Sequence, residues 1–413
     1  MASVIDQALL SGLSFLIGLA LIRFASKETY GLYSQLYGVG LLTTTLLGAL
    51  IGSALNTLAA RLPADERSRF VARTARLQWL ASAVLAVIAG TAVGATTSLV
   101  GLTKSPVLLG LSFTAFIFAQ GSREYCRTAL FIESRADAVA RMDLVYVLAT
   151  ILGASVSLVA GDISVHLIFL LLATSNGISS LWFSATLWRG APQEVNWEKY
   201  RTDARRLWSL SRWAVIGSGV GWLGNNSYLY FAGAMAGVAA LAELNAARLL
   251  LIPIVIVGMA WVTVARPAMG QMIANSENKK LRAFVWKSTV VMEGFALGYV
   301  ALLLISFPWL IGPVFGDKYS GVTDLILLWG LYFSVNVARN VGTVLLTSYG
   351  TFSDMFWQGI VSLMILLAAT LALTPVFGVA GALSAMILVE LWELVVNYAY
   401  MLPRARRQQV VLK

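Results

Sequence analysis

The sequence predicts an all-α protein: a polytopic membrane protein of about twelve transmembrane helices, in two six-helix lobes around a central cavity. Three observations predict it. Of 413 residues, 58% are hydrophobic and only 12% charged, against about 25% charged in soluble domains, and the mean hydropathy is +0.77. Apolar runs of about 20 residues, enough to cross about 30 Å of hydrocarbon, recur along the whole chain. The basic residues crowd into every second connection between those runs.

The runs lie near 4–25, 31–60, 78–100, 106–131, 143–160, 163–188, 209–233, 238–265, 287–309, 321–348, 355–376 and 379–401. Several exceed the minimum span, which fits tilt or extension beyond the bilayer. Counting alternate connections and the tail, one side collects 24 of the 30 Lys and Arg, whereas the other holds only Lys27, Lys104 and Lys318. Basic loops resist translocation, so the basic side, with both termini, is expected to be cytoplasmic. The longest basic connection, Arg189 to Arg212, carries Pro192, Trp197 and Trp208 and divides the runs six and six. The expected domains are therefore a lobe at 1–188, a linker at 189–208 and a lobe at 209–413 with a short basic tail. Each lobe opens with a helix hairpin, turning at Lys27–Tyr30 and at Ala234–Gly237. Each then reaches a basic-side loop that starts with an Arg near a Pro, Arg61 with Pro63 and Arg266 with Pro267. This is a weak internal repeat of the sort transporters show.

Composition also excludes function classes. The net charge of +10 would suit nucleic acid, but it sits at one membrane face, where anionic lipid headgroups attract it, and no nucleic-acid partner is expected. One cysteine, Cys126, and one histidine, His166, cannot build a disulfide framework or a multi-ligand metal centre, so no metal or cofactor is expected. Met1 to Gln7 carry no basic residue, unlike a signal peptide. The longest outer connection, Pro308 to Gly321, is too short for an outward catalytic domain, so no catalytic residue is expected. The run Gly219-Val220-Gly221-Trp222-Leu223-Gly224 matches a dinucleotide fingerprint in letters only, since no strand precedes it; with Gly217 it suggests a bendable or closely packed helix. Trp222, Trp329 and Trp392 lie within runs and suit packing better than sugar stacking. Trp79, Trp188, Trp208, Trp286 and Trp309 lie near run ends, as interfacial anchors do.

The three arginines left over from these two counts, Arg23, Arg248 and Arg339, fall inside runs, where a charge is costly and usually functional. Arg23 stands near the outer end of its run and can snorkel to the interface. Arg248 and Arg339 lie roughly 12–15 Å and 25 Å from the outer start of theirs, at about 1.5 Å per residue. Each must face a wet cavity or pair with Glu243, Asp324 or another acid. Asn225, Asn226, Asn245, Asn336 and Asn340 keep them company, and Asn336 and Asn340 share one helix face. Arginine grips phosphate through a planar fork, and Asn amides suit sugar hydroxyls, so this set fits an anionic, hydroxyl-rich substrate. The alternative is interhelical glue. Glu293, Glu390 and Glu393 form an acidic set, with Glu390 and Glu393 on one face. They are either a coupling site for H+ or Na+ or partners of the arginines.

Three stretches together resemble the polysaccharide (O-antigen and exopolysaccharide) flippase family, within the superfamily that includes multidrug and toxin extrusion transporters. They are Ile22-Arg23-Phe24-Ala25-Ser26-Lys27-Glu28-Thr29-Tyr30-Gly31-Leu32-Tyr33-Ser34, Gly316-Asp317-Lys318-Tyr319 and Pro375-Val376-Phe377-Gly378-Val379-Ala380-Gly381-Ala382. The resemblance implies two lobes around a cavity that opens alternately to each side, moving polyprenyl-pyrophosphate-linked oligosaccharides to the outer leaflet. It implies a substrate-binding role for Arg23 and, as partners besides membrane lipids, a polysaccharide polymerase and glycosyltransferases. The chain departs from the pattern at its start: many relatives have basic residues before the first run, whereas here Asp6 is the only charge at that end.

The expected function is thus a non-enzymatic, alternating-access flippase for a lipid-linked oligosaccharide in cell-surface polysaccharide synthesis. An ion-coupled multidrug exporter of the same superfamily stands as the alternative, and a membrane glycosyltransferase or polymerase as a further one.

Overall fold

The computed structural model describes residues 2–161, 163–190, 197–310, 315, 317–319 and 322–411. Residues 191–196 of the expected linker, Gly316 and Lys413 lie outside these, as do the side chains of Asp6, Trp188, Arg189 and Asp317. The described residues form helices and turns, with no strand among them. The chain divides into two compact units, Met1–Trp222 and Leu223–Lys413.

The first unit contains α1 (Ala2–Phe24), α2 (Lys27–Leu47), a π-helical turn (Gly48–Gly52), α3 (Ser53–Ala59), α4 (Ala64–Val100), α5 (Pro106–Ile132), α6 (Ala136–Ala160), α7 (Val165–Gly190) and the start of α8 (Trp197–Ala236). Ser26 is extended and its Oγ accepts the Thr29 N–H at 3.1 Å, so it caps α2. The expected Lys27–Tyr30 turn is therefore already helix, and the hairpin turns on Ala25 and Ser26 alone. Helices α4 and α5 pack backbone to backbone at Gly90, Gly94 and Gly110. A Cβ at Gly90 would stand 2.6 Å from the Gly110 carbonyl oxygen, so this small-residue pair sets the helix separation. Between α2, α5 and α7 lies an aromatic core, with Phe113 and Phe169 edge to face at 5.0 Å and Phe116 at 5.2 Å from Phe169. The basic start of α8 is pinned to α4 by Arg73–Asp203 at 3.0 Å and by Arg76 donating to Tyr200 Oη at 2.9 Å. The second half of the expected linker is thus ordered helix.

The second unit holds the rest of α8, α9 (Val238–Leu250), α10 (Ile252–Ala274), α11 (Asn278–Leu310), α12 (Thr323–Tyr349), α13 (Phe352–Val395), a π-helical turn (Val396–Met401) and α14 (Leu402–Val411). The apolar run 238–265 reads as one span, but the helix breaks at Leu251. Pro253 is the cause: it has no N–H to donate, and its ring crowds the carbonyl four residues earlier. Beyond Pro253 the Ile254 N–H turns to the Leu251 carbonyl at 3.1 Å, and the Leu250 carbonyl accepts from Tyr299 Oη of α11 at 2.8 Å. Pro267, expected to open a loop, lies inside α10, which continues to Ala274. That removes Arg266 and Pro267 as a match for the Arg61–Pro63 turn. α13 contains two spans, joined at Gly378 with φ 59° and ψ −140°, a conformation only glycine adopts freely. Its first arm is tied to the π-helical turn that follows the second by Gln358 Nε2 donating to Asn397 Oδ1 at 2.9 Å, and Asn397 Nδ2 donates on to Thr343 Oγ1 of α12 at 3.1 Å.

Among the described residues, eight helices are long and apolar enough to cross a membrane, and one of these, Phe352–Arg407, is the pair joined at Gly378. Helix α5 falls outside that set, carrying Arg123, Glu124 and Arg127 near one end. The chain is a multi-pass membrane protein. Gly217, Gly219, Gly221 and Gly224 all lie in α8, and a Cβ at any of them would meet nothing within 4 Å, so they do not mark a close helix contact.

Candidate functional site

Helix α12 organises the polar residues of the second unit. Its mean hydropathy still allows a membrane span, while one face carries Trp329, Tyr332, Asn336, Arg339 and Asn340. Arg339 grips Glu390 of α13 with both edges of its fork, Nε to Oε2 at 2.8 Å and Nη2 to Oε1 at 2.9 Å. Glu393 Oε2 stands 3.4 Å from the same Nε. Asn336 Nδ2 adds a hydrogen bond to Glu390 Oε1 at 3.0 Å, and Asn340 Oδ1 accepts from Arg339 Nη1 at 3.5 Å. Arg339 therefore takes the second of the two routes open to it, and its acids are Glu390 and Glu393 rather than Glu243 or Asp324. Glu390 and Glu393 do lie together, with a cation between them. The pair is largely buried, with 15% and 9% of the Arg339 and Glu390 side chains exposed, so each charge depends on the other. Asn336 and Asn340 also line a recess of about 400 Å³ between α10 and α12, with Met259, Thr263 and Phe333 on its walls. The polar face thus borders open volume.

Arg248 occupies the last turn of α9. The break at Leu251 leaves carbonyls at that helix end, and a cation is stabilised there by the helix dipole. Arg248 Nη1 donates to Tyr228 Oη at 2.6 Å, and its guanidinium lies 5.5 Å from the Trp329 ring centroid and 5.7 Å from that of Tyr228. Two aromatic faces thus share in accommodating the charge. Tyr228 Oη in turn donates to Asn245 Oδ1 at 3.5 Å, whereas the buried Asn245 Nδ2 has no hydrogen-bond partner among the described residues. Trp329 is fully buried and donates its Nε1–H to the Leu244 carbonyl at 2.9 Å, so it is a packing residue. Trp222 is buried too, while Trp392 is exposed.

The remaining expected residues are dispersed. Glu293 of α11 accepts from Ser334 Oγ of α12 at 2.7 Å, apart from the Arg339 fork. Asn225 is exposed and Asn226 half-buried on α8, one turn before Tyr228. Arg23 is exposed in the last turn of α1, in the first unit.

The first unit contains a polar cluster that sequence reasoning missed. Asp143 of α6 is wholly buried and bonds both Arg123 Nη2 and, at 3.0 Å, Arg127 Nε of α5. Glu124 Oε2 meets Arg127 Nη1 at 3.1 Å, and the Arg123 guanidinium stacks 4.0 Å from the Tyr146 ring centroid. Arg123 and Arg127, one turn apart beside an acid, were the available signal. They were absorbed into the count of basic loop residues.

The chain matches no family model and no curated protein sequence. Solved structures do match in fold. A multidrug resistance MATE family transporter of the MOP superfamily, in its inward-facing conformation, superposes with a TM-score of 0.76 at 12% identity, over 96% of this chain and 94% of that one. The lipid II flippase MurJ, inward closed, gives 0.65 at 10% identity over 98% and 91%. A MOP superfamily transporter from Pyrococcus furiosus, whose binding pocket is described as of reverse polarity, gives 0.65 at 12% identity over 97% and 94%. The chain has the fold of the MOP superfamily transporters along nearly its whole length.

Proposed function

We propose that the protein flips a polyprenyl-pyrophosphate-linked oligosaccharide from the cytoplasmic to the outer leaflet of a bacterial inner membrane, by alternating access and without covalent chemistry. The observation that carries this reading is the Arg339 fork, whose flanking amides, Asn336 and Asn340, border a recess of about 400 Å³. A pyrophosphate competes with Glu390 for the guanidinium, because phosphate and carboxylate match the same planar pair of donors. Arg248, framed by Tyr228 and Trp329, offers a second cationic contact, and Asn245 has an amide N–H to give. Arg23, Asn225 and Asn226 are outlying contacts for the glycan. When the phosphate takes Arg339, Glu390 and Glu393 lose their counter-charge, and a coupling H+ or Na+ replaces it; Glu293 is the third acid in this role. Glycosyltransferases would supply the substrate and a polymerase would consume the flipped product. The fold likeness to a lipid II flippase supports this reading.

The likeness to multidrug transporters favours a second reading, export of an organic cation. Arg339 on the organising helix and Arg248 on α9 weigh against it, since a cation prefers free carboxylates and aromatic faces. Reconstitution separates the two. Purified protein in vesicles should speed the transfer of a polyprenyl-pyrophosphate oligosaccharide between leaflets, read by an impermeant glycan-modifying reagent. Transport of organic cations with no such transfer would establish the exporter instead.

A further inference from the structure

A second recess in the Leu223–Lys413 unit has no part in the proposed transport site. It encloses about 560 Å³ along the arms of the α13 hairpin, lined by Trp357, Val361, Trp392 and Tyr400, with Asp354 and Arg404 at one end. Three features define the chemistry it can receive. Its aromatic walls are open, Trp357 and Tyr400 being 64% and 61% exposed, so no segment among the described residues covers them. Its polar wall residue Gln358 is already engaged with Asn397, which leaves little hydrogen bonding to offer a sugar or a peptide backbone. Its charged end is cationic: Arg404, Arg406 and Arg407 are all exposed on α14, and the acid facing them is Asp354, 3.8 Å from Arg404 Nη1. Tyr400 Oη accepts from the same Nη1 at 3.3 Å, which aims the guanidinium along the mouth of the recess.

An apolar, aromatic slot that ends in a cluster of arginines matches a molecule with a long hydrocarbon chain and a compact anionic head. Basic pockets between membrane helices hold anionic headgroups, and Trp and Tyr settle at headgroup level. We infer that this recess binds one anionic glycerophospholipid from the leaflet at the basic helix ends, its acyl chain along Trp357, Val361 and Trp392 and its phosphate on Arg404, with Arg407 one helical turn further on the same face.

The test uses the full-length protein, purified in detergent and stripped of lipid, and titrated with phosphatidylglycerol or phosphatidylcholine of identical acyl chains under native mass spectrometry. Phosphatidylglycerol should be retained about tenfold more strongly. Arg404→Gln should cut that preference about fivefold, the effect of about one basic residue near a membrane surface, while Arg404→Lys should keep it. Trp392→Ala should weaken both lipids alike. To place the lipid, Cys126 is replaced by Ser and a fluorophore is attached at Val361→Cys; brominated phosphatidylglycerol should quench it more than brominated phosphatidylcholine. Equal retention of the two lipids, an undiminished preference in Arg404→Gln, or an unquenched label would overturn the assignment. Displacement of phosphatidylglycerol by an equal concentration of a polyprenyl phosphate would overturn it too, making the recess a site for the substrate's tail.

Discussion

Arg123 and Arg339 occupy matching places on two helices of equal length. Helices α5 and α12 each have 27 residues, and the arginines follow the first residue by seventeen and sixteen positions. Each binds a buried carboxylate on a neighbouring helix, Asp143 of α6 in one case and Glu390 of α13 in the other. Placed about 25 Å along their helices at about 1.5 Å per residue, both pairs lie beyond the reach of the start of the span. A feature that recurs within one residue of the same place in both halves is a stronger mark of internal repetition than the Arg–Pro turns. The partners differ, however. Asp143 is shared between two arginines, whereas Arg339 is shared between two acids.

That asymmetry gives a stability order in the first unit. Asp143→Asn leaves two guanidinium groups short of their buried acceptor, whereas Arg123→Gln or Arg127→Gln leaves Asp143 with one. Asp143→Asn should therefore lower the thermal unfolding midpoint in detergent more than either arginine variant. An equal or smaller shift would show that Glu124 alone can hold both arginines.

In the second unit, removing one member of the Arg339–Glu390 pair should destabilise by about 3–5 kcal/mol, because a buried charge is left alone. Arg339→Gln with Glu390→Gln should recover most of that loss while transport stays absent. A double variant no more stable than the worse single one would mean that the pair is not the source of the effect.

Arg248 sits among aromatic faces, so its loss should act on transport more than on folding. Arg248→Ala should reduce substrate transfer about tenfold, the loss of one charge-assisted hydrogen bond of about 1.5 kcal/mol, with membrane insertion intact. Arg248→Lys should recover part of it, since lysine restores charge but not the fork. Full transfer by Arg248→Ala would remove this residue from the site.

The acids can be tested for coupling one by one. Glu293→Gln, Glu390→Gln and Glu393→Gln are compared for transfer with and without an imposed H+ or Na+ gradient. The coupling residue is the one whose variant still binds substrate yet ignores the gradient. If all three respond as the unsubstituted protein does, coupling resides elsewhere.

Orientation follows from the basic side. In a Cys126→Ser background, single cysteines at Lys104 and Asn275, both exposed in short connections, should behave oppositely. An impermeant thiol reagent outside the cell should label position 104 and spare 275. The reverse pattern would invert the topology.

Much of the helix plan was legible because hydrocarbon thickness fixes span length, and Gly378 after Pro375 marks its reversal plainly. The break at Leu251 was not, since Pro253 stands in an unbroken apolar run and hydropathy is blind to a missing donor. Arg339 was legible as a buried cation, but its partner is 51 residues away in sequence, and no local spacing links the two. Arg123 was obscured for another reason: near a helix end, an arginine that enters the core and one that meets water look alike in a charge count.

The break before Pro253 also bears on how the unit can move. In an uninterrupted helix, bending a span tears backbone hydrogen bonds out of a medium that offers no replacement. Here the proline has removed a ladder bond at the outset, and the Leu250 carbonyl hangs on one phenol, Tyr299 Oη. At this point, swinging α9 with its Arg248 against α10 thus strains fewer backbone hydrogen bonds than bending an uninterrupted helix would, and the Tyr299 contact it releases is worth about 1 kcal/mol. The chain carries a joint at the depth of its charge, already loosened by its own covalent structure.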